Sequence, residues 1–329
     1  MICINNYKIF LEKGKCNHCT KDSFVIYRKH SGEKICPECF EKSIEKIIYK
    51  TISKYKMLKP KDKVIVALSG GKDSMSLLYN LLKIQEKTFG SEPIIALTID
   101  EGIKEYRENS IQKAKLFCKN LNVELKIISF KEIIGKSLDE VLDSKRNKPD
   151  YRYACHYCAA FRRRLLNDGA RELGGDILAM GHNLTDVAET FLMNILYNRY
   201  QLIANQYFFK KENEAVNQFF VKKITPLMRI PEEEIFLYVN IKKFDYYPSH
   251  CPYREEDPIL RKRVLNFIQE CKKFSPEIEY NLFNGFLELS EILYNKKKEL
   301  NYNSCQKCGY PCGNAKICSY CSFLEDIYQ

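Results

Sequence analysis

The sequence predicts an α/β fold, a doubly wound parallel sheet flanked by two small zinc-binding modules, and three observations carry that expectation. Apolar β-branched runs alternate with amphipathic helical segments between residues 63 and 197, a pattern that demands parallel strands joined by crossover helices. The first of these runs, Val64-Ile65-Val66-Ala67-Leu68, feeds a Gly-Gly turn that opens directly into a helix. Ten of the 15 cysteines fall in five C-x2-C pairs: Cys16/Cys19, Cys36/Cys39, Cys155/Cys158, Cys305/Cys308 and Cys318/Cys321. A chain of 329 residues is long enough for one large domain with satellites. The expected division is a cysteine module at 1–50, a catalytic domain with C-terminal helices at 51–300, and a second cysteine module at 301–329.

Taken in order, residues 1–50 show little helical periodicity until Ile44, Ile47 and Ile48, and Pro60 marks the entry to the sheet. The pattern then predicts strand 63–68, helix 74–87, strand 94–99, helix 106–121 and strand 123–129. A polar stretch follows to about 150, then helix 158–173, strand 176–180 and helix 184–197. Such a sheet binds ligands at the carboxyl ends of its strands. After a polar and aromatic insertion near 200–222, Pro231 followed by Glu232, Glu233 and Glu234 opens a further helix, with proline suited to the first turn and acids to the positive end of the dipole. Helices are expected at 256–272 and 276–299.

The turn after the first strand reads Ser69-Gly70-Gly71-Lys72-Asp73-Ser74. Glycines permit φ > 0, and the free N–H groups of the turn and helix start converge where the dipole is positive, which makes a cradle for an oligophosphate. A Walker A loop would read G-x-x-x-x-G-K-[ST], and this segment does not. It resembles instead the PP-loop of ATP pyrophosphatases, which implies ATP as cofactor, split between its α and β phosphates. Lys72 would balance phosphate charge, and Asp73 or Asp186 would position Mg²⁺.

No signal peptide or long apolar run opens the chain, so the expected location is cytoplasmic, with no membrane partner. In a reducing compartment C-x2-C pairs are metal or redox sites. Cys16, Cys19, Cys36 and Cys39 fit a four-thiolate zinc site, and Cys305, Cys308, Cys318 and Cys321 form a second. His18, His30 and Cys312 are spare donors beside them. Cys155 and Cys158 have no second pair nearby, and Cys251 offers a third sulfur. Three thiolates can hold a 4Fe-4S cluster with one iron open. Dithiol redox chemistry, or zinc completed by His156 or His250, fits the spacing equally. A net charge of +11 with 22 Tyr and 19 Phe favours a polyanionic partner.

Several ordered segments narrow the reading: Cys155-x2-Cys158-Ala159-Ala160-Phe161-Arg162-Arg163, Gly181-His182-Asn183-Leu184-Thr185-Asp186, Pro226-Leu227-Met228-Arg229 and Cys251-Pro252-Tyr253. Together with the flanking cysteine modules they resemble the tRNA 2-thiouridine synthetases of the TtuA/NcsA type over nearly the whole chain. The resemblance implies a 4Fe-4S cluster on Cys155, Cys158 and Cys251, with the delivered sulfur on the open iron. It implies AMP transfer to a uridine C2 oxygen, and nucleotide contacts at Ser69, Gly70, Gly71, Lys72, Asp73, Ser74, Ile99, Asp100, Gly181 and His182. Asp186 joins Lys72 and Asp73 as a catalytic residue. Arg162, Arg163 and Arg164 would grip phosphate. The partners implied are tRNA, a sulfur donor (sulfide, a persulfide or a thiocarboxylated ubiquitin-like protein) and a second copy as homodimer.

Two departures stand out: the family usually has Asp where this chain has Thr185, and Gly where it has Ala159. Two other classes share parts of the pattern. One is a PP-loop ligase or amidotransferase of the lysidine or asparagine synthetase type, which needs no cluster. The other is a zinc-ribbon nucleic-acid-binding protein.

Overall fold

The computed structural model describes residues 2–4, 7–9, 11–146, 152–208, 218–254, 260–296 and 303–329. Near the N-terminus β1 (Ile2–Ile4) pairs antiparallel with β2 (Tyr7–Ile9), β3 (Glu12–Lys13) with β4 (Ser23–Phe24), and β5 (Ile26–Arg28) with β6 (Glu33–Ile35). Helix α1 (Pro37–Lys54) starts immediately after Cys36, with proline in its first turn and Glu38 at the positive end of the dipole. It buries Phe40, Ile44, Ile48 and Ile52, one residue per turn on a single face. Each such side chain contributes roughly 1.5–3 kcal/mol when removed from water. This face packs into the same core as the main sheet, so the helix carries the first cysteine module onto the central domain.

The sheet has five strands: β7 (Val64–Ala67), β8 (Ile95–Asp100), β9 (Glu124–Ser129), β10 (Ile177–Ala179) and β11 (Lys222–Ile224). Their spatial order is β11-β10-β7-β8-β9, and every pairing is parallel. Burial on both faces explains why β7, β8 and β10 read as continuous apolar runs. The connections are α2 (Lys72–Gln85) after β7 and α3 (Tyr106–Asn120) after β8. Strand order reverses at β7, between β8 and β10, and there the loops after β7 and β10 meet.

The stretch from 130 to about 150, expected to be irregular, contains α4 (Phe130–Ile134) and α5 (Leu138–Lys145). Polar composition masked a sparse apolar face of Phe130, Ile134, Leu138, Val141 and Leu142, all buried. Ser137 and Glu140 form a reciprocal capping box that starts α5. Helix α6 (Ala154–Glu172) begins four residues earlier than its pattern suggests, so Cys155 and Cys158 lie in its first turns, and not in the loop before it. Burial of Tyr157 draws this start into the helix.

After β10 come α7 (Leu184–Leu196), α8 (Tyr200–Asn205), α9 (Glu232–Ile241), α10 (Leu260–Phe274) and α11 (Ile278–Lys296). The middle of the 200–222 insertion, the expected start of a helix at 256, and the 297–302 junction before the last module lie outside the described residues. Helix α12 (Ser319–Asp326) ends the chain and packs on α6. No helix among the described residues is long and apolar enough to cross a membrane.

One buried ion pair fixes the first module to the domain. Arg28 on β5 donates to both oxygens of Glu234 on α9, at 2.9 and 2.6 Å, and to Ser43 at 2.8 Å, while its guanidinium lies over the Phe40 ring. Arg28→Ala leaves Glu234, 2% exposed, as an uncompensated buried charge. The expected loss is about 3–5 kcal/mol, read as a lowered urea midpoint at unchanged slope.

Candidate active site

The loop at 69–74 closes on itself through serines. Ser74 Oγ accepts from the Ser69 amide at 3.1 Å and lies 3.0 Å from Ser69 Oγ, and it donates to the Gly71 carbonyl at 3.1 Å. Gly70 has φ = +86°, and a Cβ there would lie 2.1 Å from the Ser110 carbonyl oxygen. Gly181, on the loop after β10, abuts this turn: its Cβ would meet Ser74 N at 3.1 Å. Gly71 caps α2 with no side-chain hydrogen bond to the first turn, which leaves the helix's amide donors for a ligand.

Lys72 Nζ lies 2.9 Å from Asp73 and 2.7 Å from Glu232, the first residue of α9. Burial disfavours its charge, but the two carboxylates outweigh this and hold the ammonium above its ordinary pKa. Burial raises Asp73 above the usual carboxylate range; Lys72 opposes the shift, and Asp186 adds to it. Asn183 joins these acids, since its Nδ2 donates to Asp73 at 3.1 Å and its Oδ1 accepts from the Asp186 amide at 3.0 Å. Asp186 completes the capping box by accepting from the Asn183 amide at 3.1 Å, and its other oxygen faces Arg261 at 3.4 Å. Thr185 donates to the buried Glu279 at 2.6 Å and accepts from the Glu232 amide at 3.1 Å. An aspartate here would set a second carboxylate against Glu279, so threonine fits its partner.

Ile99 is buried at the end of β8, and Asp100 turns into its own loop to accept from the Gly102 amide at 2.9 Å. His182 is exposed beside Gly181. Arg107, unmarked by any motif, donates to the carbonyls of Ile99 at 2.7 Å and Ser69 at 2.8 Å, and pairs with the buried Glu101 at 2.7 Å. The other oxygen of Glu101 lies 3.6 Å from Arg162 on α6. Glu101 thus stands between the phosphate loop and the helix of the central cysteines. Its position one residue past a strand's carboxyl end was the available signal, as was the run of acids after Pro231 for Glu232.

Cys158 and Cys251 pack on the same apolar cluster, and the turn at Pro252–Arg254 contacts α6. Cys155 is exposed beside them. Burial pushes the Cys158 thiol up to about 12, with Arg162 opposing, and raises Cys251 as well, so a cationic centre is what would make these sulfurs anionic. Three soft sulfurs in an apolar shell, with a guanidinium nearby, suit an iron–sulfur centre.

The two terminal sets are tighter. The sulfurs of Cys16, Cys19, Cys36 and Cys39 lie within 4.8 Å of one another, as do those of Cys305, Cys308, Cys318 and Cys321. Among the described residues these are the sets of three or more metal-ligating side chains that do so. Amides of His18 and Cys36 point at Cys16 Sγ, each at 3.4 Å, and the Cys318 amide points at Cys305 Sγ at 3.3 Å. Such donors stabilise thiolate. The spare donors are engaged elsewhere: His18 faces Glu33 at 3.1 Å, the His30 ring lies on Tyr280, and Cys312 donates to the carbonyls of Asn303 and Ala315. Of the three arginines, Arg164 lies over the Tyr310 ring at 3.9 Å and pairs with Asp168, while Arg163 is exposed.

Comparison with known proteins matches the geometry. The profile of the PP-loop domain family matches residues 38–266. A probable sulfurtransferase of Methanocaldococcus jannaschii is 37% identical over 312 residues, covering 94% of this chain and 87% of that protein. The tRNA-5-methyluridine(54) 2-sulfurtransferase of Pyrococcus horikoshii is 31% identical, covering 94% and 93%. The solved U34-tRNA thiolase NcsA from Methanococcus maripaludis, with its [4Fe-4S] cluster, superposes with a TM-score of 0.78 at 31% identity, covering 95% of this chain and 96% of that one.

Gly70→Ala combines a left-handed φ, worth about 1–2 kcal/mol, with a backbone clash. Nucleotide binding, followed by calorimetry, is expected to vanish in a protein of lowered melting temperature, whereas Gly90→Ala, strained by a similar φ of +69° but with open space around it, keeps binding.

Proposed function

We propose, since this chain belongs to the PP-loop family, that it is a tRNA 2-sulfurtransferase: ATP adenylates the C2 oxygen of a tRNA uridine, and sulfur then takes that oxygen's place. The observation that carries the reading is the chain of contacts at the carboxyl ends of β7 and β8: Arg107 binds the Ser69 carbonyl and Glu101, and Glu101 also faces Arg162 on the helix that bears Cys155 and Cys158.

Uridine's C2 oxygen is a poor leaving group. Its attack on the α-phosphorus breaks the bond to pyrophosphate, and the oxygen later departs within AMP. The amides of the loop and the start of α2, with Lys72, hold the departing pyrophosphate. Asp73 and Asp186, close enough to raise the former's pKa, form a pair of oxygen donors that suits Mg²⁺. Gly181 and His182 close the nucleotide side, with Ile99 and Asp100 at the end of the neighbouring strand. Cys155, Cys158 and Cys251 would hold a 4Fe-4S cluster, which when bound would supply an iron able to carry sulfur. Zn²⁺ in each terminal four-cysteine set folds that module, as such sites do when apolar content is small. A groove of about 520 Å³ between α1 and α2 is lined by Lys42, Lys46, Lys83 and Lys87 together with Glu45, which pairs with Lys83 at 2.7 Å, so its net positive charge for tRNA phosphates rests on the other three lysines.

Anaerobic incubation of iron-loaded protein with ATP, sulfide and unmodified tRNA, then mass mapping, should place 2-thiouridine at position 34 or 54. Lys72→Ala loses AMP formation and thiolation but stays brown. Cys155→Ala, Cys158→Ala and Cys251→Ala lose iron and thiolation while retaining about two zinc per chain, the number of four-cysteine sets. Unchanged iron in all three would remove the cluster from these cysteines, and a wild-type protein that stays colourless but hydrolyses ATP would leave a cluster-free PP-loop ligase as the reading. Asp186→Asn is expected to slow thiolation by ~100-fold with ATP binding little altered; near-normal turnover would reduce Asp186 to a helix cap.

A further inference from the structure

Tyr157 lies between the two cysteines of the central pair and is fully buried. Its hydroxyl donates to one oxygen of Asp326, and the other oxygen accepts from Lys145 Nζ at 3.0 Å. The Tyr157 ring meets Phe323 edge-on at 5.1 Å, and one turn further along α6 Phe161 meets Tyr320 at 5.5 Å. Asp326, Phe323 and Tyr320 all belong to α12. Cys318 caps that helix and Cys321 lies in its first turn, and these are two of the four C-terminal sulfurs. A single eight-residue helix therefore carries half of a metal-type set at its start and grips the residue between Cys155 and Cys158 at its end.

The first turn of a helix lacks half of its backbone bonds and frays unless tertiary contacts hold it. Cys155 and Cys158, three apart, share one face of that turn. The phenol and the ammonium are buried, the carboxylate between them is 14% exposed, and each group is satisfied by the others, so removing one leaves a buried partner without its bond.

We propose that Tyr157 and Asp326 are positioning residues, through which the C-terminal module sets the placement of Cys155 and Cys158 for their metal centre. This rests on the reading of the central cysteines given above. Contacts behind metal ligands fix their orientation, and losing one typically weakens metal retention 10- to 100-fold.

Tyr157→Phe keeps the ring and removes the hydroxyl; Asp326→Asn keeps the shape and removes the charge. The full chain is reconstituted anaerobically with iron and sulfide. Iron and zinc per chain are then measured, and iron loss to a chelator is followed by cluster absorbance. Both variants are expected to hold wild-type zinc and to lose iron ~10-fold faster or more. Tyr328→Phe removes a 2.6 Å hydrogen bond from the same C-terminal segment to the Ile134 carbonyl and should stay within about twofold of wild type. Wild-type iron retention in Tyr157→Phe and Asp326→Asn, equal acceleration in Tyr328→Phe, or loss of zinc alongside iron in both variants overturns the proposal. A wild-type protein that takes up no iron fails the underlying reading and takes this one with it.

Discussion

Parallel pairing of β7 with β10 is the constraint on which the site depends. Val64 lies opposite Ile177 and Val66 opposite Ala179, so both strands end at the same level and their loops are forced together. The contact is close enough that a Cβ on Gly181 would lie 3.1 Å from the Ser74 amide nitrogen, so a side chain there would push the turn aside by a few tenths of an ångström. The start of α2 faces the site uncapped, whereas that of α7 is closed by the Asn183–Asp186 box and bridged back to Asp73. One helix start is left for an anion, and the other is used to place acids.

The two cysteine modules brace different halves of this edge. Arg28 reaches Glu234 on α9, the helix whose first residue, Glu232, holds Lys72. Asp326 reaches Tyr157, beside the central thiols. Each module is too small to fold on an apolar core of its own and is attached through buried polar contacts that require fixed geometry. A metal held by either four-cysteine set would stiffen the module that makes these contacts, and Glu101 faces both Arg107 and Arg162 between the two sides.

The sequence by itself determined what depends on near neighbours along the chain. Strand and helix alternation, the Gly-Gly turn, and four-thiolate spacing are local patterns set by backbone geometry and by the period of burial, and they were legible over residues 63–129 and 176–197. The S-x-x-E box at Ser137 is equally local but sits in a polar composition that hides the apolar face behind it. The tertiary structure decided what depends on distant partners: Glu232 on Lys72, Thr185 against Glu279, Arg107 across the ends of β7 and β8, and Asp326 on Tyr157. Two of these contacts join residues 160 or more positions apart, and no one-dimensional period encodes any of them. Where both partners are buried, as for Thr185 with Glu279 and Arg107 with Glu101, pairing is obligatory, because a lone charge or hydroxyl in the interior costs more than the local preferences that shape each segment.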